Sequence, residues 1–304
     1  MIQWAGWASF TMIERLINIL VTITLIEMML SIGLSVRFAD LIGISQDWRL
    51  LLQAGLANYV CVPAVTVALL LLFQPADPMV SVGFLILAVC PGAPFAPPCA
   101  RIAKGNVDAA VGAMVILAGS SALAAPWLLY LLLPLLSRDQ PLEVDAIKIV
   151  TTLLITQLLP LGVGLCLRQW RPWLATALQK PANLLSAVLG LATVGLIVVV
   201  QFQVLAEIGG RGWVGMSMLL IASWAAGWLL GGPGTSKRKA MALTTSLRNV
   251  GVGLVIAVGN FAGTAAVTAT LAYGIFEIIG SLLLALAWAR RAEDRGQRTE
   301  DRSC

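Results

Sequence analysis

Two apolar stretches of this chain are interrupted by residues that a helix inside a lipid bilayer normally avoids. The interruptions are Cys90–Pro98, which reads CPGAPFAPP, and Thr244–Gly253, which reads TTSLRNVGVG. A break in a membrane helix leaves backbone N–H and C=O groups without partners, so it is tolerated only inside protein or beside a water-filled cavity. The two breaks therefore predict a buried or hydrated site at membrane depth.

The composition excludes a soluble globular domain. The 304 residues are 59% hydrophobic and 12% charged, with a mean hydropathy of +0.90, so most of the surface has to face lipid.

There is no histidine, which removes the commonest metal ligand and general base. The cysteines are scattered, so we expect no disulfide framework, no metal site and no cofactor. An enzyme is not expected, and the net charge of +5 indicates membrane topology rather than nucleic-acid binding.

About nine stretches are long enough to cross a bilayer. They lie at roughly 16–36, 50–73, 79–103, 107–136, 146–167, 182–206, 213–231, 240–260 and 262–289. Lys and Arg concentrate in the connections after the first, third, fifth and seventh spans and near the C-terminus. This bias predicts a multi-pass protein of the cell (inner) membrane with its N-terminus outside and its C-terminus in the cytoplasm. Residues 291–304 are expected to form a charged, disordered cytoplasmic tail.

Spans two to four and seven to nine form two triplets of opposite orientation, and the broken span is the middle one of each. This arrangement is typical of an inverted-topology repeat, in which paired interruptions mark the substrate site of a transporter. The predicted fold is therefore an all-α polytopic membrane protein with two crossing discontinuous helices. Residues 1–290 are expected to form a single transmembrane domain.

Several short motifs resemble the bile acid:sodium symporter family of secondary transporters for organic anions. They are Met28–Val36 (MMLSIGLSV), Cys90–Gly92 followed by Ala103–Asn106 (AKGN), the pair Arg248-Asn249, and Gly280–Leu283 (GSLL). The resemblance covers nearly the whole chain and implies a nine-helix member. It also implies a core of residues 50–136 and 213–289 that moves against a panel of residues 16–36 and 146–206, with the substrate between them.

The chain departs from the sodium-coupled members of that family at the positions that hold sodium. By the register of the resemblance, those positions are Ala96, Pro97, Ala110, Met114, Thr244 and Arg248. Alanine, proline and methionine side chains offer no oxygen to a hard cation, which needs several. Sodium coupling is therefore expected to be altered or absent.

Arg248 lies within an apolar span, where an arginine costs about 2.5–3.5 kcal/mol even on lenient insertion scales. It could supply the charge that sodium supplies in relatives and bind an anionic group through paired N–H bonds. Alternatively it neutralises Glu277, or extends along its helix to water without touching substrate. Glu277 and Glu27 both lie near span centres, and either could also carry protons.

The candidate substrate site combines these residues with the polar groups around the breaks. Its members are Arg248, Asn249, Thr244, Thr245, Ser246, Ala96, Pro97, Asn58 and Glu277. Four prolines in the first break are expected to unwind it fully, through Pro97 and Pro98. Gly251 and Gly253 are expected to allow the second break. The half-helices that follow each break would point positive dipole ends at the crossing, which favours an anion.

The sequence thus predicts a secondary transporter of a small organic anion that works by alternating access in a lipid bilayer. Two alternatives stay open. An arsenite-type oxyanion exporter of related architecture would use a cysteine near the first break, where Cys90 and Cys99 lie. A non-transporting sensor on a degenerate carrier fold would explain the missing sodium ligands. The sequence leaves the substrate, coupling ion, direction and oligomeric state open.

Overall fold

The computed structural model describes residues 3–37, 47–136, 145–200, 202–206 and 208–300. Within these ranges the chain is helical and contains no β-strand. Seven of the described helices are long and apolar enough to cross a membrane, and two shorter apolar helices accompany them. The protein is therefore an all-α polytopic membrane protein, as the hydropathy predicted.

The helices are numbered in chain order. They are α1 (Gln3–Ser35), α2 (Trp48–Phe73), α3 (Pro78–Ala88), α4 (Ala96–Ile102), α5 (Val107–Leu135), α6 (Ala146–Trp170), α7 (Pro172–Val200), α8 (Phe202–Ala206), α9 (Gly210–Leu229), α10 (Thr235–Ser246), α11 (Val250–Phe261) and α12 (Ala265–Glu300). Two π-helical turns interrupt this regular geometry, at Ala57–Cys61 in α2 and at Leu154–Leu158 in α6. Such turns widen a helix locally and are frequent at functional sites.

Short polar side chains set several helix starts. Asp77 accepts a hydrogen bond from the Met79 N–H at 2.8 Å, and Asn106 accepts one from the Ala109 N–H at 2.9 Å. Each cap satisfies an N–H group that the first turn of a helix leaves unpaired. Pro78 at the first position of α3 needs no such partner. The connections between spans are therefore marked in the sequence itself.

The nine predicted spans correspond to seven continuous helices and two broken ones, α3 with α4 and α10 with α11. The sixth span begins at Pro172 rather than near residue 182, because proline fits the first turn of a helix. The prediction of a disordered tail is wrong for residues 291–300, because α12 continues to Glu300. Its last turns are rich in Ala, Arg and Glu, which favour helix. Residues 301–304 of that tail lie outside the described residues.

Helix α1 packs against both α6 and α7. A Cβ on Gly33 would lie 2.4 Å from the Leu161 carbonyl oxygen, and one on Gly164 would lie 2.5 Å from the Leu30 oxygen. The two backbones can approach this closely only because both residues lack a side chain, as is common between membrane helices. The first, fifth and sixth spans are therefore held together by close packing.

The two broken spans pack together with their neighbours. Helix α3 lies against α12, α10 lies against α9, and α4 lies between α5 and α10. At one end, the Asn106 N–H donates to the Ser236 oxygen at 3.0 Å. Beside it, Lys237 donates to Asp47 at 2.6 Å, which lowers the pKa of that carboxyl. The division of the chain into core and panel stays a prediction, and these contacts support it.

Replacing Gly33 by alanine should separate α1 from α6. We expect the Gly33→Ala variant to lose about 1–3 kcal/mol of stability, because the new methyl group has no room against a backbone carbonyl. Thermal unfolding of the purified protein in detergent, followed by circular dichroism, measures the change. Gly162→Ala is the matched control, because nothing lies within 4 Å of its Cβ position. Equal melting temperatures for the two variants would contradict the packing.

Candidate functional site

The two breaks meet inside the protein. The first runs from the end of α3 at Ala88 to the start of α4 at Ala96, and the second joins α10 to α11. The Asn249 N–H donates to the Cys90 carbonyl oxygen at 2.8 Å. Pro91 and Arg248 form an isolated antiparallel bridge there. Backbone groups released by one break are thus paired with the other, which is how a bilayer protein can tolerate both.

The backbone of the first break depends on Gly92. This residue has a φ of +91°, which side chains rarely adopt, and a Cβ there would lie 2.4 Å from the Ala118 nitrogen. The break is shorter than predicted, because Pro97 and Pro98 lie inside the first turn of α4. Proline is compatible with that turn since its missing N–H would have no helical partner.

The second break is also placed differently from the prediction. Gly251 and Gly253 lie within α11, so neither provides the turn. The chain instead becomes extended at Leu247, with φ −87° and ψ 120°. A Cβ on Gly253 would lie 3.1 Å from side-chain atoms of Leu87 and Thr270. This glycine therefore serves close packing against the neighbouring helices.

Arg248 lies at the crossing and is buried, with 2% of its surface exposed. Its Nη1 donates to the Asn58 side-chain oxygen at 2.9 Å. Its Nε and Nη2 have no hydrogen-bond partner among the described residues. Because the guanidinium is enclosed, it cannot extend to water in this conformation. Two donor nitrogens of this permanently charged side chain are therefore available for a hydrogen-bonding ligand inside the protein.

Asn58 holds the guanidinium from the π-helical turn of α2. Its amide nitrogen donates to the Ala54 oxygen at 2.9 Å and to Thr245 Oγ1 at 3.3 Å. These two bonds orient the amide so that its oxygen faces Arg248. The sequence placed Asn58 and Thr245 in the site, and the structure brings both to the arginine through one hydrogen-bonded chain.

Glu277 contacts Arg248 differently from the predicted side-chain pair. Its Oε1 accepts the backbone N–H of Arg248 at 2.6 Å, and its Oε2 has no partner among the described residues. Among the described residues, no carboxylate oxygen lies within 4.0 Å of a guanidinium nitrogen of Arg248. The reason is local, because the break frees this N–H and a carboxylate is a strong acceptor for it. The two opposite charges still share one buried region.

The other candidate residues are buried around this centre. Thr244 donates to the Ala240 oxygen at 2.9 Å within its own helix. The Asn249 side chain accepts from the Val252 N–H at 3.2 Å, which caps α11. Ala96 packs in an apolar cluster with Leu243 and Leu247. Pro97 is likewise buried, in the first turn of α4. In this conformation neither Ala96 nor Pro97 has a polar contact with Arg248.

The sequence reasoning missed two polar groups next to the site. Ser281 shares a hydrogen bond with Ser246 at 2.9 Å and accepts one from the Trp224 ring N–H at 3.3 Å. Gln157, in the π-helical turn of α6, donates to the Ala118 carbonyl oxygen and to Ser121. A lone glutamine in an apolar span was the available signal for the second contact.

A cavity of about 1000 Å³ lies next to the crossing. It is bounded by α7 and α8 on one side and by α9 and α12 on the other, and its lining is mostly apolar. Trp224 and Gly280 contribute to its wall. Through Trp224 and Ser281 the cavity is connected by hydrogen bonds to Ser246 at the end of α10.

Comparison with known proteins agrees with this architecture. Residues 22–208 match the sequence model of the Sodium Bile acid symporter family. The chain belongs to this family. The symporter match includes the first broken helix and ends before the second, so it does not extend to Arg248 or Glu277.

Two relatives extend the similarity over the rest of the symporter chain. The "Uncharacterized sodium-dependent transporter YocS" of Bacillus subtilis (strain 168) is 24% identical, over 94% of this chain and 88% of its own length. The "Probable sodium/metabolite cotransporter BASS2, chloroplastic" of Oryza sativa subsp. japonica is 23% identical, over 92% of this chain and 66% of its own length. The chain is thus a multi-pass membrane transporter of a small molecule, and not an enzyme.

Removing the charge of Glu277 should destabilise the crossing of this symporter-family protein. In the Glu277→Gln variant the amide oxygen can still accept the Arg248 N–H, but the buried guanidinium loses its counter-charge. Breaking one partner of a buried charge pair costs about 3–5 kcal/mol. Thermal unfolding in detergent should therefore show a large loss. The double variant Arg248→Gln/Glu277→Gln should recover much of it.

Ser281→Ala is the control for this pair. It removes one hydroxyl next to the crossing without changing any charge, and a neutral hydrogen bond contributes about 1 kcal/mol. If the losses from Arg248→Gln and Glu277→Gln simply add in the double variant, the two charges do not stabilise each other.

Proposed function

We propose that this protein is a secondary transporter of a small organic anion, and that it works by alternating access with little or no dependence on sodium. One observation carries the proposal. Arg248 is enclosed at the crossing with two guanidinium nitrogens unpaired, and the Glu277 carboxylate binds its backbone N–H rather than its guanidinium. A buried donor without a partner is costly, so an incoming oxyanion would bind there favourably.

The surroundings of Arg248 favour an anion over a cation. Helix α11 begins at Val250, next to the arginine, and its N-terminus carries a partial positive charge. The guanidinium cannot lose its proton at ordinary pH, so the positive charge is permanent. A sodium ion would have to enter next to this charge. The fixed arginine thus supports a transporter in which the ion's structural role has passed to a side chain.

Burial of the site supports alternating access. Arg248, Asn249, Thr245 and Glu277 are each at most 2% exposed. A substrate can reach them only if the helices around the crossing separate. One wall of the cavity is formed by α7 and α8, which belong to the proposed panel. The other wall is formed by α9 and α12, which belong to the proposed core. Motion of one unit against the other would extend this cavity to the crossing.

The proposed orientation has the N-terminus outside and the C-terminus in the cytoplasm, in the cell membrane. The connection between α9 and α10, with Lys237, Arg238 and Lys239 following it, would then lie on the cytoplasmic side. The same side would hold the contact between Asn106 and Ser236, which ties the two broken spans together.

A thermal-shift screen without sodium tests the substrate class. The purified protein is heated with the potassium salts of pyruvate, succinate, benzoate, decanoate and benzenesulfonate. A ligand that binds only the folded state raises its melting temperature, so we expect at least one of these acids to do so. The shift should disappear in Arg248→Gln, because losing a charged hydrogen bond costs about 1.5–3 kcal/mol.

Two variants make that result specific. Arg211→Gln is the matched control, because Arg211 is an arginine at the far end of α9 that donates to the Phe73 oxygen. It should keep the full shift. Arg248→Gln/Glu277→Gln provides a neutral crossing if the single variant does not fold. No shift with any acid, or an undiminished shift in both Arg248 variants, would refute the site.

Uptake into proteoliposomes tests transport and its coupling. Radiolabelled benzenesulfonate, which stays ionised and does not cross lipid unaided, should exchange across vesicles that contain the protein. Its uptake should change less than about twofold when potassium is replaced by sodium, because the side chains at five of the six sodium-ligand positions implied by the resemblance have no oxygen, and the sixth, Thr244, offers only one hydroxyl. A steep rise with sodium would overturn the sodium-independent mechanism. Binding without exchange would favour a sensor.

A further inference from the structure

A row of polar side chains runs along the contact between α1 and α7, away from the crossing. We call it the α1–α7 seam. Its α1 members are Thr24, Glu27, Ser31 and Ser35, and its α7 members are Thr193, Ser186, Asn183 and Gln179. Spacings of three, four and seven residues place each set on one face of its helix. The seam therefore crosses an otherwise apolar contact between two spans.

The hydrogen bonds of the seam link the two helices repeatedly. Thr24 and Thr193 share a bond at 2.8 Å, and Ser31 donates to the Asn183 side-chain oxygen at 2.7 Å. Gln179 donates to Ser35 at 3.2 Å. Between these bonds, Ser186 donates to the Oε2 of Glu27.

Glu27 is the acidic member of the seam, and its second oxygen is free. The residue is buried, with 9% of its surface exposed, and Oε1 has no hydrogen-bond partner among the described residues. Among the described residues, the neutral Ser186 hydroxyl is the one donor to this carboxylate. An ionised carboxylate in this place has no counter-charge, whereas a protonated one needs none. The site is therefore suited to a group that gains and loses a proton.

No neighbouring helix supplies a positive charge to Glu27 within the part of the chain that the structure describes. The titratable groups on α6 are Lys148, Cys166 and Arg168. Of these, Lys148 donates to the Gly259 oxygen and Arg168 to Thr176. The one charged residue of α7 is Lys180, and Arg171 lies in the connection before it; both are exposed. The apolar helix α11 has no charged residue. On α1 itself, Arg15 is exposed.

The seam connects Glu27 to the surface at one end. Ser31 lies one turn from Glu27 and Ser35 lies two turns away, about 12 Å along the helix. Ser35 and Asn183 are both exposed. Hydroxyl and amide groups in such a row can bind water molecules and pass a proton between them. At the other end, Thr24 and Thr193 are buried, with 5% exposure each.

We propose that Glu27 is a proton-binding site and that a proton is the coupling ion of this transporter. The proton comes from water at the Ser35 end, passes along the α1–α7 seam, binds the free Oε1 of Glu27, and is released to water on the opposite side of the membrane after the transporter has changed its access. The coupling part of this inference rests on the proposed function. The protonation of Glu27 does not depend on it.

The position of α1 explains how such a proton could act on transport. One face of α1 carries the seam, and Leu25 on another face is near Gly251, at 3.4 Å from its Cβ position. Gly251 lies in the first turn of α11, directly after the second break. A change of charge at Glu27 therefore occurs in the helix that packs against the crossing, where a shift of α1 alters access to the site.

Infrared difference spectroscopy of the purified protein tests proton binding without any substrate. Because all 15 acidic side chains titrate, the wild type is compared with Glu27→Gln over the same pH range, and it should show one additional carbonyl stretching band of a protonated carboxylic acid that disappears as the pH rises. The band should be absent in Glu27→Gln and still present in Glu277→Gln. Titrating bands that are the same in the wild type and in Glu27→Gln would overturn the proposal.

A second variant keeps the test decisive if Glu27→Gln does not fold. Ser186→Ala removes the hydroxyl that donates to Oε2, so the same band should shift in frequency while still titrating. A band unmoved in Ser186→Ala would place the titrating acid elsewhere. Ser217→Ala is the matched control, because that hydroxyl donates to the Trp213 oxygen within α9 and should leave the band unchanged.

Transport of radiolabelled benzenesulfonate separates coupling from the transport itself. An inward proton gradient should drive accumulation in wild-type vesicles, and Glu27→Gln should abolish accumulation while keeping exchange at equal pH. Accumulation that persists in Glu27→Gln would overturn proton coupling through this residue. If the wild type shows no exchange at all, the proposed function is wrong. The infrared titration still decides independently whether Glu27 binds a proton.

Discussion

The hydrogen bond from the Asn249 N–H to the Cys90 oxygen, at 2.8 Å, is the contact on which the centre of this protein depends. Each break alone would expose backbone groups to an apolar environment, at a cost of several kcal/mol. Brought together, each break supplies partners for the other. The crossing then becomes the one irregular region at the centre of the broken helices, and it gives Arg248 a place away from lipid.

Burial of Arg248 would be unfavourable without the groups around it. Asn58 accepts one guanidinium bond, and Glu277 adds a negative charge while it binds the backbone of the same residue. This division of contacts matters, because a carboxylate paired directly with the guanidinium would occupy its parallel N–H donors. Here the charge is balanced at a distance, and the Nε and Nη2 donors stay unpaired. The arrangement stabilises the crossing and still leaves donors for a ligand.

The sequence predicts the spans and the breaks well, because both follow from composition and from local backbone chemistry. It does not predict where the breaks end. Pro97 and Pro98 fit a first helical turn, and Gly253 is required by its neighbours rather than by its own conformation. Arg248 was predicted as the partner of Glu277, but the contact through its backbone was missed, because that N–H becomes available only once the chain is extended at Leu247. Tertiary contacts decide such details.

Two buried carboxylates in one membrane protein need not have the same role. Glu277 accepts an N–H bond at the crossing and lies near a permanent guanidinium, and both contacts oppose the penalty that burial places on its ionised form. Glu27 is held by a single hydroxyl, and no positive charge among the described residues contacts it. Environments that separate two acids in this way assign one to fixed charge balance and the other to proton exchange. Helix α1 carries Glu27 and also packs against α11 at the crossing, so the two roles can act on one movement.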